Sequence, residues 1–349
     1  FRSLKGKPWF MMESTPSLVN WHRVNKLKRP GVHLLSSVQA IAHGSDSVQY
    51  FQWRKSRGAS EKFHGAVIDH VGHEHTRVFG EVKQVGDALK QMDEIVGTSV
   101  TAQAAVIFDW ENRWAIGDLQ GLSDKRDYEG TCKLHYRSLW RQGIAADVIS
   151  QDCDFSQYRL IAAPMLYLLK PGVAARLKAF VENGGTLVTS YATGYVNEND
   201  LCFLGGFPGD GMMEVTGVWA EEIDSLFEGQ TNSASMDLGK GEKTYEIHDF
   251  CERIHPAEDC QVLAVYDSDF YQGEAALTKH PLGKGRCYHM AARFETAMLF
   301  DFYETISREA GVYPVMDTVL PEGVSVTARE SESAVYYFLM NFTAQEQRG

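Results

Sequence analysis

The run Pro8-Trp9-Phe10-Met11-Met12 ends in a carboxylate, Glu13, followed by Ser14-Thr15-Pro16. An apolar, aromatic run that stops abruptly at a charged group reads as a buried parallel strand delivering that group to a pocket. A carboxylate so placed can attack an anomeric carbon, provided that a second carboxyl about 5–5.5 Å away protonates the leaving group. Taken alone, Glu13 is better explained as an ordinary solvent-facing glutamate at a strand end. Its neighbours widen the case. Trp21 and Trp53 are candidates for stacking on a sugar, because an indole plane covers the apolar C–H face of the ring while its N–H stays available to an oxygen. Core packing is the competing explanation, and the stronger one for Trp53 by itself. The segment Gln52-Trp53-Arg54-Lys55-Ser56-Arg57-Gly58 continues to Glu61 and His64. Its side chains form a dense hydrogen-bonding set suited to a polyhydroxylated ligand, with a solvated loop as the alternative. Glu61 and His64 are three apart, so on a helical turn they face the same way.

Other motifs carry less. His70, His73 and His75 have ligand-like spacing but sit in an irregular segment, where a solvated linker is the default. No metal and no cofactor is expected. Gly205-Gly206-Phe207-Pro208-Gly209-Asp210-Gly211 lacks the dinucleotide fingerprint and its strand–turn–helix setting, and reads as a loop. Thr189-Ser190-Tyr191-Ala192-Thr193-Gly194 falls where related α/β folds place a nucleophile elbow. It has neither a cysteine nor G-x-S-x-G, so amidotransferase or hydrolase chemistry is not expected there.

The 349 residues are 44% hydrophobic and 23% charged, enough for a sizeable core and two or three domains. A formal net charge of -12 disfavours nucleic acid and an anionic membrane surface as partners. The six cysteines are scattered without metal-like spacing and read as reduced thiols of a cytoplasmic protein. No apolar run reaches the ~18 residues of a membrane span. The first residues read as the tail of a helix rather than a signal peptide, and the last strand is followed by no partner, so a fragment is expected at both ends.

The elements that must position the candidate residues alternate. A strand over residues 9–12 ends at Glu13. Pro30-Gly31 opens a helix with Leu34, Leu35, Val38, Ile41 and Ala42 at helical spacing, and His43-Gly44 closes it. Residues 46–53 form a second strand, and a long helix carries Val78, Val82, Val85, Leu89, Met92 and Val96 on one face. Two such β/α units, residues 1–97, cannot close a barrel and leave apolar surface open. From residue 98 to 313, strands at 104–109, 146–150, 160–164, 186–190, 261–266 and 287–292 alternate with helices. The clearest helix, 171–183, has proline at its start and Gly184-Gly185 at its stop. This is an open α/β sheet of flavodoxin-like or glutamine-amidotransferase-like type. After Pro321-Glu322-Gly323, alternating apolar and polar residues mark the start of a small antiparallel β domain, residues 314–349.

Phe10-Met11-Met12-Glu13, Pro16-Ser17, Asn20-Trp21, Lys28-Arg29-Pro30-Gly31, Ala42-His43-Gly44, the segment from Phe51 to Gly58 and Glu61-Lys62-Phe63-His64, in this order, resemble glycoside hydrolase family 42, the prokaryotic β-galactosidases. The match is close in the N-terminal part and looser beyond, where it rests on domain order. The resemblance implies a TIM (β/α)8 barrel whose last two units are residues 1–97, an α/β domain that forms a homotrimer, and a small β domain. It implies a β-galactoside substrate, hydrolysed by double displacement. Glu13 then matches the catalytic nucleophile at the end of the seventh barrel strand. Trp21 matches the tryptophan lining the galactose subsite, and Glu61 and His64 the pair after the eighth strand that hydrogen-bonds sugar hydroxyls. Trp53 and Arg54 join them as substrate-binding candidates. The general acid/base of the family, a glutamate after an asparagine on the fourth barrel strand, would lie upstream of Phe1. The expectation is therefore the C-terminal part of such an enzyme, inactive alone. Two other classes compete: a non-catalytic oligomerisation module, and an amidotransferase-like enzyme, which the missing nucleophile disfavours.

Overall fold

The computed structural model describes residues 1–347, in two compact units. The first comprises Phe1–Thr101 with the segment from Val315 onward, and the second is Ala102–Pro314.

In the first unit, β1 (Trp9–Ser14) and β2 (Ser45–Tyr50) pair in parallel. Parallel neighbours cannot be joined by a tight turn, and α1 (Val32–Ala42) makes the crossover. It starts after Gly31, whose left-handed backbone (φ 82°) suits glycine. Its inward face is His33, Ser37, Ala40, Ile41 and Ala42. The register slips near the end of β1. Met11 faces Val48 and Ser14 faces Tyr50, so Met12 and Glu13 together oppose Gln49. Such a bulge bends a strand, and Glu13 lies within it. β2 stops at Tyr50 rather than at residue 53; the Phe51–Gln52 peptide is cis, and Trp53 lies beyond the strand. α2 (Arg77–Lys90) begins at Thr76, whose hydroxyl accepts from the Phe79 N–H at 3.2 Å. It ends short of Val96, which is exposed, and of its expected apolar stripe only Val85 is fully buried.

The second unit runs β3 (Ala104–Ile107), α3 (Trp110–Asp118), α4 (Tyr128–Trp140), β4 (Ala146–Ile149), β5 (Leu160–Ala163), β6 (Leu168–Leu169), α5 (Val173–Glu182), β7 (Thr186–Ser190), β8 (Val196–Asn197), α6 (Met212–Thr216), β9 (Val218–Ser225), β10 (Asn232–Asp237), β11 (Glu242–Pro256), β12 (Gln261–Val265), β13 (Ala275–Leu282), β14 (Gly285–Met290), β15 (Ala292–Phe294) and α7 (Thr296–Glu309). The strands β4-β3-β5-β7-β14 are parallel neighbours in that order. Taken in chain order among themselves they read 2-1-3-4-5, the flavodoxin-like arrangement. Both faces are covered, which is why the central β3 and β5 are wholly apolar, while β7 and β14 also bury polar side chains such as Thr189 and His289. Ala104, Val106, Leu160, Ala162 and Val188 enter one core, while Ala105, Ile107, Ile161, Ala163 and Leu187 enter another. Beyond β14 the sheet continues antiparallel through β13, β11 and β10, with β9 and β15 paired to β11 and β12 to β13. The expected α/β sheet is thus mixed. Its antiparallel part escapes a search for apolar runs because its strands alternate, as in β9, where Val218 and Ala220 are buried and Trp219 and Glu221 exposed.

The expected C-terminal hairpin is β16 (Val324–Glu330) with β17 (Val335–Asn341). It packs within the first unit, where Phe338 and Met340 join Ile41, Ala42 and Ile95 in a small core. Arg329 on β16 is fully buried. Its guanidinium donates to the carbonyls of Ile41 (3.0 Å), Ser45 (2.8 Å) and Thr98 (2.8 Å) and pairs with Asp46 at 2.6 Å.

Candidate active site

The chemistry-bearing side chains of the first unit follow the carboxyl ends of β1 and β2, where parallel sheets present ligands. Thr15, two residues after Glu13, is the hinge of the arrangement. Its hydroxyl lies 3.5 Å from His64 Nε2, and its carbonyl accepts from the Lys28 ammonium. Lys28 also donates its backbone N–H to the Ser17 carbonyl at 3.4 Å. Burial pulls the Lys28 pKa below the usual lysine range, with Glu81 opposing the shift. On the other side the loop after β2 closes on the same stretch. The Gly65 N–H donates to the Leu18 carbonyl at 2.8 Å, and the Asn20 amide to the Ser60 carbonyl. A Cβ at Gly65 would lie 2.8 Å from the Leu18 oxygen and 2.9 Å from its nitrogen, so only glycine allows this approach.

His64 is fully buried. Its ring stacks on Trp21 (centroids 5.1 Å apart, planes 24° apart) and meets the edge of Phe51 at 5.1 Å. Its Nδ1 lies 2.9 Å from the Gly65 carbonyl, an acceptor, so Nδ1 carries a proton, and Nε2 faces the Thr15 hydroxyl. Below this layer His33 Nε2 lies 3.1 Å from the Tyr50 hydroxyl. Burial lowers the His33 pKa to about 4 and raises that of Tyr50, so the pair is neutral near pH 7.

The structure therefore brings Trp21 and His64 together and sets Thr15, two residues after the exposed Glu13, against His64. It does not bring in the rest. Glu61 lies on the turn before His64, whose N–H donates to the Glu61 carbonyl at 2.9 Å; Glu61 is exposed while His64 is buried, so the two do not present alike. Trp53 is 67% exposed, which removes core packing as its explanation. Arg54 is exposed as well, and its backbone bridges Ile68. Among the described residues the carboxylates of Glu13 and Glu61 make no hydrogen bond or ion pair. Sequence reasoning passed over Thr15 and Gly65 as site residues and gave Lys28 no role of its own. A glycine directly after a histidine in a polar loop was the one available signal. Gln52 accepts from the Ser56 hydroxyl at 3.1 Å, and its buried Nε2 has no partner among the described residues. His70 Nε2 is engaged with the Ser56 carbonyl at 2.8 Å, and the described residues contain no group of three or more possible metal ligands.

In the second unit the segment after β7 holds a buried chain of polar groups. Thr189 Oγ1 lies 2.9 Å from His289 Nδ1, and His289 Nε2 lies 3.1 Å from Glu252. Glu252 also accepts from the Ala192 N–H (3.0 Å) and the Tyr195 hydroxyl (2.7 Å). A hydroxyl–histidine–carboxylate set invites comparison with a catalytic triad, but the ring is reversed, with Nδ1 rather than Nε2 toward the hydroxyl. All three side chains are also shut away from solvent. The network fixes the turn at Ala192 (φ 57°) to β11 and β14.

Residues 1–92 match the family model described as β-galactosidase, and residues 102–313 the one described as β-galactosidase trimerisation domain. The chain is 52% identical over 350 residues to β-galactosidase Pbg of Clostridium perfringens, covering 99% of this chain and 50% of that protein. It is 51% identical over 348 residues to β-galactosidase BglY of Alicyclobacillus acidocaldarius, covering 99% and 50%. The solved structure of a cold-adapted β-galactosidase from Rahnella sp. R3 superposes with a TM-score of 0.96 at 49% identity, over 99% of this chain and 51% of that one. The chain belongs to the β-galactosidases of glycoside hydrolase family 42. Its first unit carries the end of that family's TIM barrel, and its second is the α/β trimerisation domain. The chain spans about half the length of the curated relatives it matches.

Proposed function

We propose that the full-length protein is a retaining β-galactosidase acting on terminal β-D-galactosides such as lactose or galacto-oligosaccharides, with Glu13 as nucleophile. The observation that carries this reading is the Trp21–His64 stack held against Thr15, two residues beyond a carboxylate that lies within a bulge. The Glu13 carboxylate attacks the anomeric carbon as the bond to the leaving-group oxygen breaks and that oxygen takes a proton from the acid. A galactosyl ester forms on Glu13. Water then attacks the anomeric carbon, gives its proton to the same acid/base residue, and releases Glu13. Trp21 covers the apolar face of galactose, and His64 and Glu61 meet its hydroxyls, with Trp53 and Arg54 lining the approach. The acid/base glutamate is assigned to the half of the relatives' length outside this chain, so the 349-residue span alone is expected to give no turnover; the alternative reading is a non-catalytic oligomerisation module.

The family matches at residues 1–92 and 102–313 support the division into barrel end (1–97), trimerisation domain (98–313) and start of a β domain (314–349), and a homotrimer formed through the middle part. Six unpaired cysteines support a reducing compartment, the cytoplasm. No described helix is long and apolar enough to cross a membrane, and the acidic surface supports neither nucleic acid nor membrane as a partner.

Glu13→Gln in the full-length protein tests the reading. Turnover of a nitrophenyl β-galactoside is expected to fall by about 10⁴-fold or more with galactose binding largely kept, and a 2-fluorogalactoside should label Glu13 of the unmutated protein. Substantial residual kcat, or label on another residue, assigns the nucleophile elsewhere.

A further inference from the structure

We propose that the outward face of α3, centred on Trp110 and Trp114, seats a second copy of this chain. The inference rests on the trimer reading above and names its contact surface. α3 is apolar on two sides. Inward it buries Ala115 and Ile116, along with Asn112, whose amide donates to the Met165 carbonyl at 3.0 Å and accepts from the Leu168 N–H at 2.7 Å. Outward, Trp110 and Trp114 stand four residues apart on one stripe, 58% and 57% exposed, with ring centroids 6.4 Å apart. The described residues enclose only the inward side, and the two indoles stand exposed between the charged side chains of Glu111 and Arg113.

The surroundings select the occupant. Arg113 lies over the Trp110 ring at 5.5 Å and reaches Glu129 at 3.9 Å; Glu129 pairs with Lys133, and Glu111 with Lys170. A stacked sugar needs free polar groups aimed at its hydroxyls, and the charged groups here already pair with one another. An apolar centre inside a charged rim is instead the anatomy of a protein interface, and tryptophan and arginine are the side chains most enriched at its energetic centre. The face is also rigid. Asp109 is buried and caps the helix, accepting from the N–H groups of Glu111 (3.1 Å) and Asn112 (3.3 Å), so the indoles are presented with little ordering cost. Finally, α3 lies inside residues 102–313, the stretch matched by the trimerisation family model. In a closed trimer copies meet head to tail, so the indoles of one copy face a different surface of the next.

Sedimentation equilibrium of the full-length protein and its Trp110→Ala/Trp114→Ala variant, over micromolar concentrations, with calorimetry and circular dichroism on the same samples, tests this. The unmutated protein is expected to sediment as a trimer. The variant should associate about 100-fold more weakly or not at all, with an unchanged spectrum. If the double variant does not fold, Trp110→Ala and Trp114→Ala singly are expected to weaken association about tenfold each. An unmutated protein that is not a trimer removes the trimer reading and this inference with it. A variant that remains trimeric with undiminished affinity overturns the surface alone. A variant that stays trimeric but melts lower shows the indoles covered by another part of their own chain, which also overturns it.

Discussion

The two units treat apolar residues in opposite ways. In the second, every residue of β3, β5 and β7 is buried, because helices and sheet seal both faces. In the first, no residue of β1 is fully buried, and Phe10, Met12, Trp21, Trp53 and Phe63 are all exposed. The segments that carry the candidate active site are therefore not fixed by an apolar core of their own. They are fixed by donors aimed at backbone carbonyls: Lys28 on Thr15, Asn20 on Ser60, Gly65 on Leu18, and Arg329 on Ile41, Ser45 and Thr98. β1 and β2 are two strands of a barrel whose other strands lie in the half of the relatives' length that this chain does not span, so their apolar side chains stand open here, and within this span these directional bonds hold the loops.

Four substitutions or conditions test that contrast. Arg329→Met removes the cation paired with Asp46 and the guanidinium donor to three carbonyls, and should cost about 3–5 kcal/mol. Calorimetry should show the first unit's transition falling and the second's unmoved. Leu177→Ala, in the second unit's core, should cost about 3 kcal/mol and do the reverse. If either variant shifts both transitions equally, the units do not differ in the way described. Gly65→Ala pushes a methyl into the Leu18 backbone and should cost about 1–3 kcal/mol. Because the displaced loop carries His64 away from Trp21, KM for a galactoside should rise in the full-length protein more than kcat falls. An unchanged KM would show that the close approach serves only folding.

The smallest effect concerns acid. Each unit holds a histidine neutral against a tyrosine: His33 with Tyr50, and His135 with Tyr303 at 2.6 Å. Burial lowers His33 to about 4 and His135 to about 3, from an ordinary 6.5. A folded pKa below the unfolded one means that the unfolded chain binds the proton first, so this stability is complete above pH 6.5 and declines as pH falls through that value. The decline ends near pH 4 for His33 and near pH 3 for His135. Melting temperatures of the two transitions between pH 7 and pH 3 should follow these windows, and His33→Gln should flatten the acid limb of the first alone.

How much of this was legible in the chain depended on the kind of signal. β5 begins at Leu160 as expected, because an apolar run bounded by polar residues marks a strand sealed on both faces, and β7 falls on residues 186–190 as expected, its β-branched Thr186, Val188 and Thr189 following the Gly184-Gly185 helix stop. The β9–β11 region was not legible, since half-exposed strands interleave polar residues. Glu13 could be placed at a strand end, but the bulge in which it lies is a matter of register between two strands and leaves no mark on one of them. Trp21 and His64 could be named but not paired, for their contact depends on how closely Gly65 approaches Leu18. Trp53 was misjudged as a core candidate, because an indole after an apolar run gives one pattern whether it packs inward or faces water.

Arg329 also sets an order of events. It reaches Asp46 across 283 residues, and the whole second unit lies between them. A ribosome adding roughly 5–20 residues per second delivers this guanidinium tens of seconds after the turn it completes. In that interval the second unit, drawn from one unbroken stretch, can fold, while the turn from Ile41 to Asp46 waits. A nascent chain released before Arg329 would carry a finished trimerisation domain and an unfinished first unit, so one late codon decides whether the turn from Ile41 to Asp46 is completed.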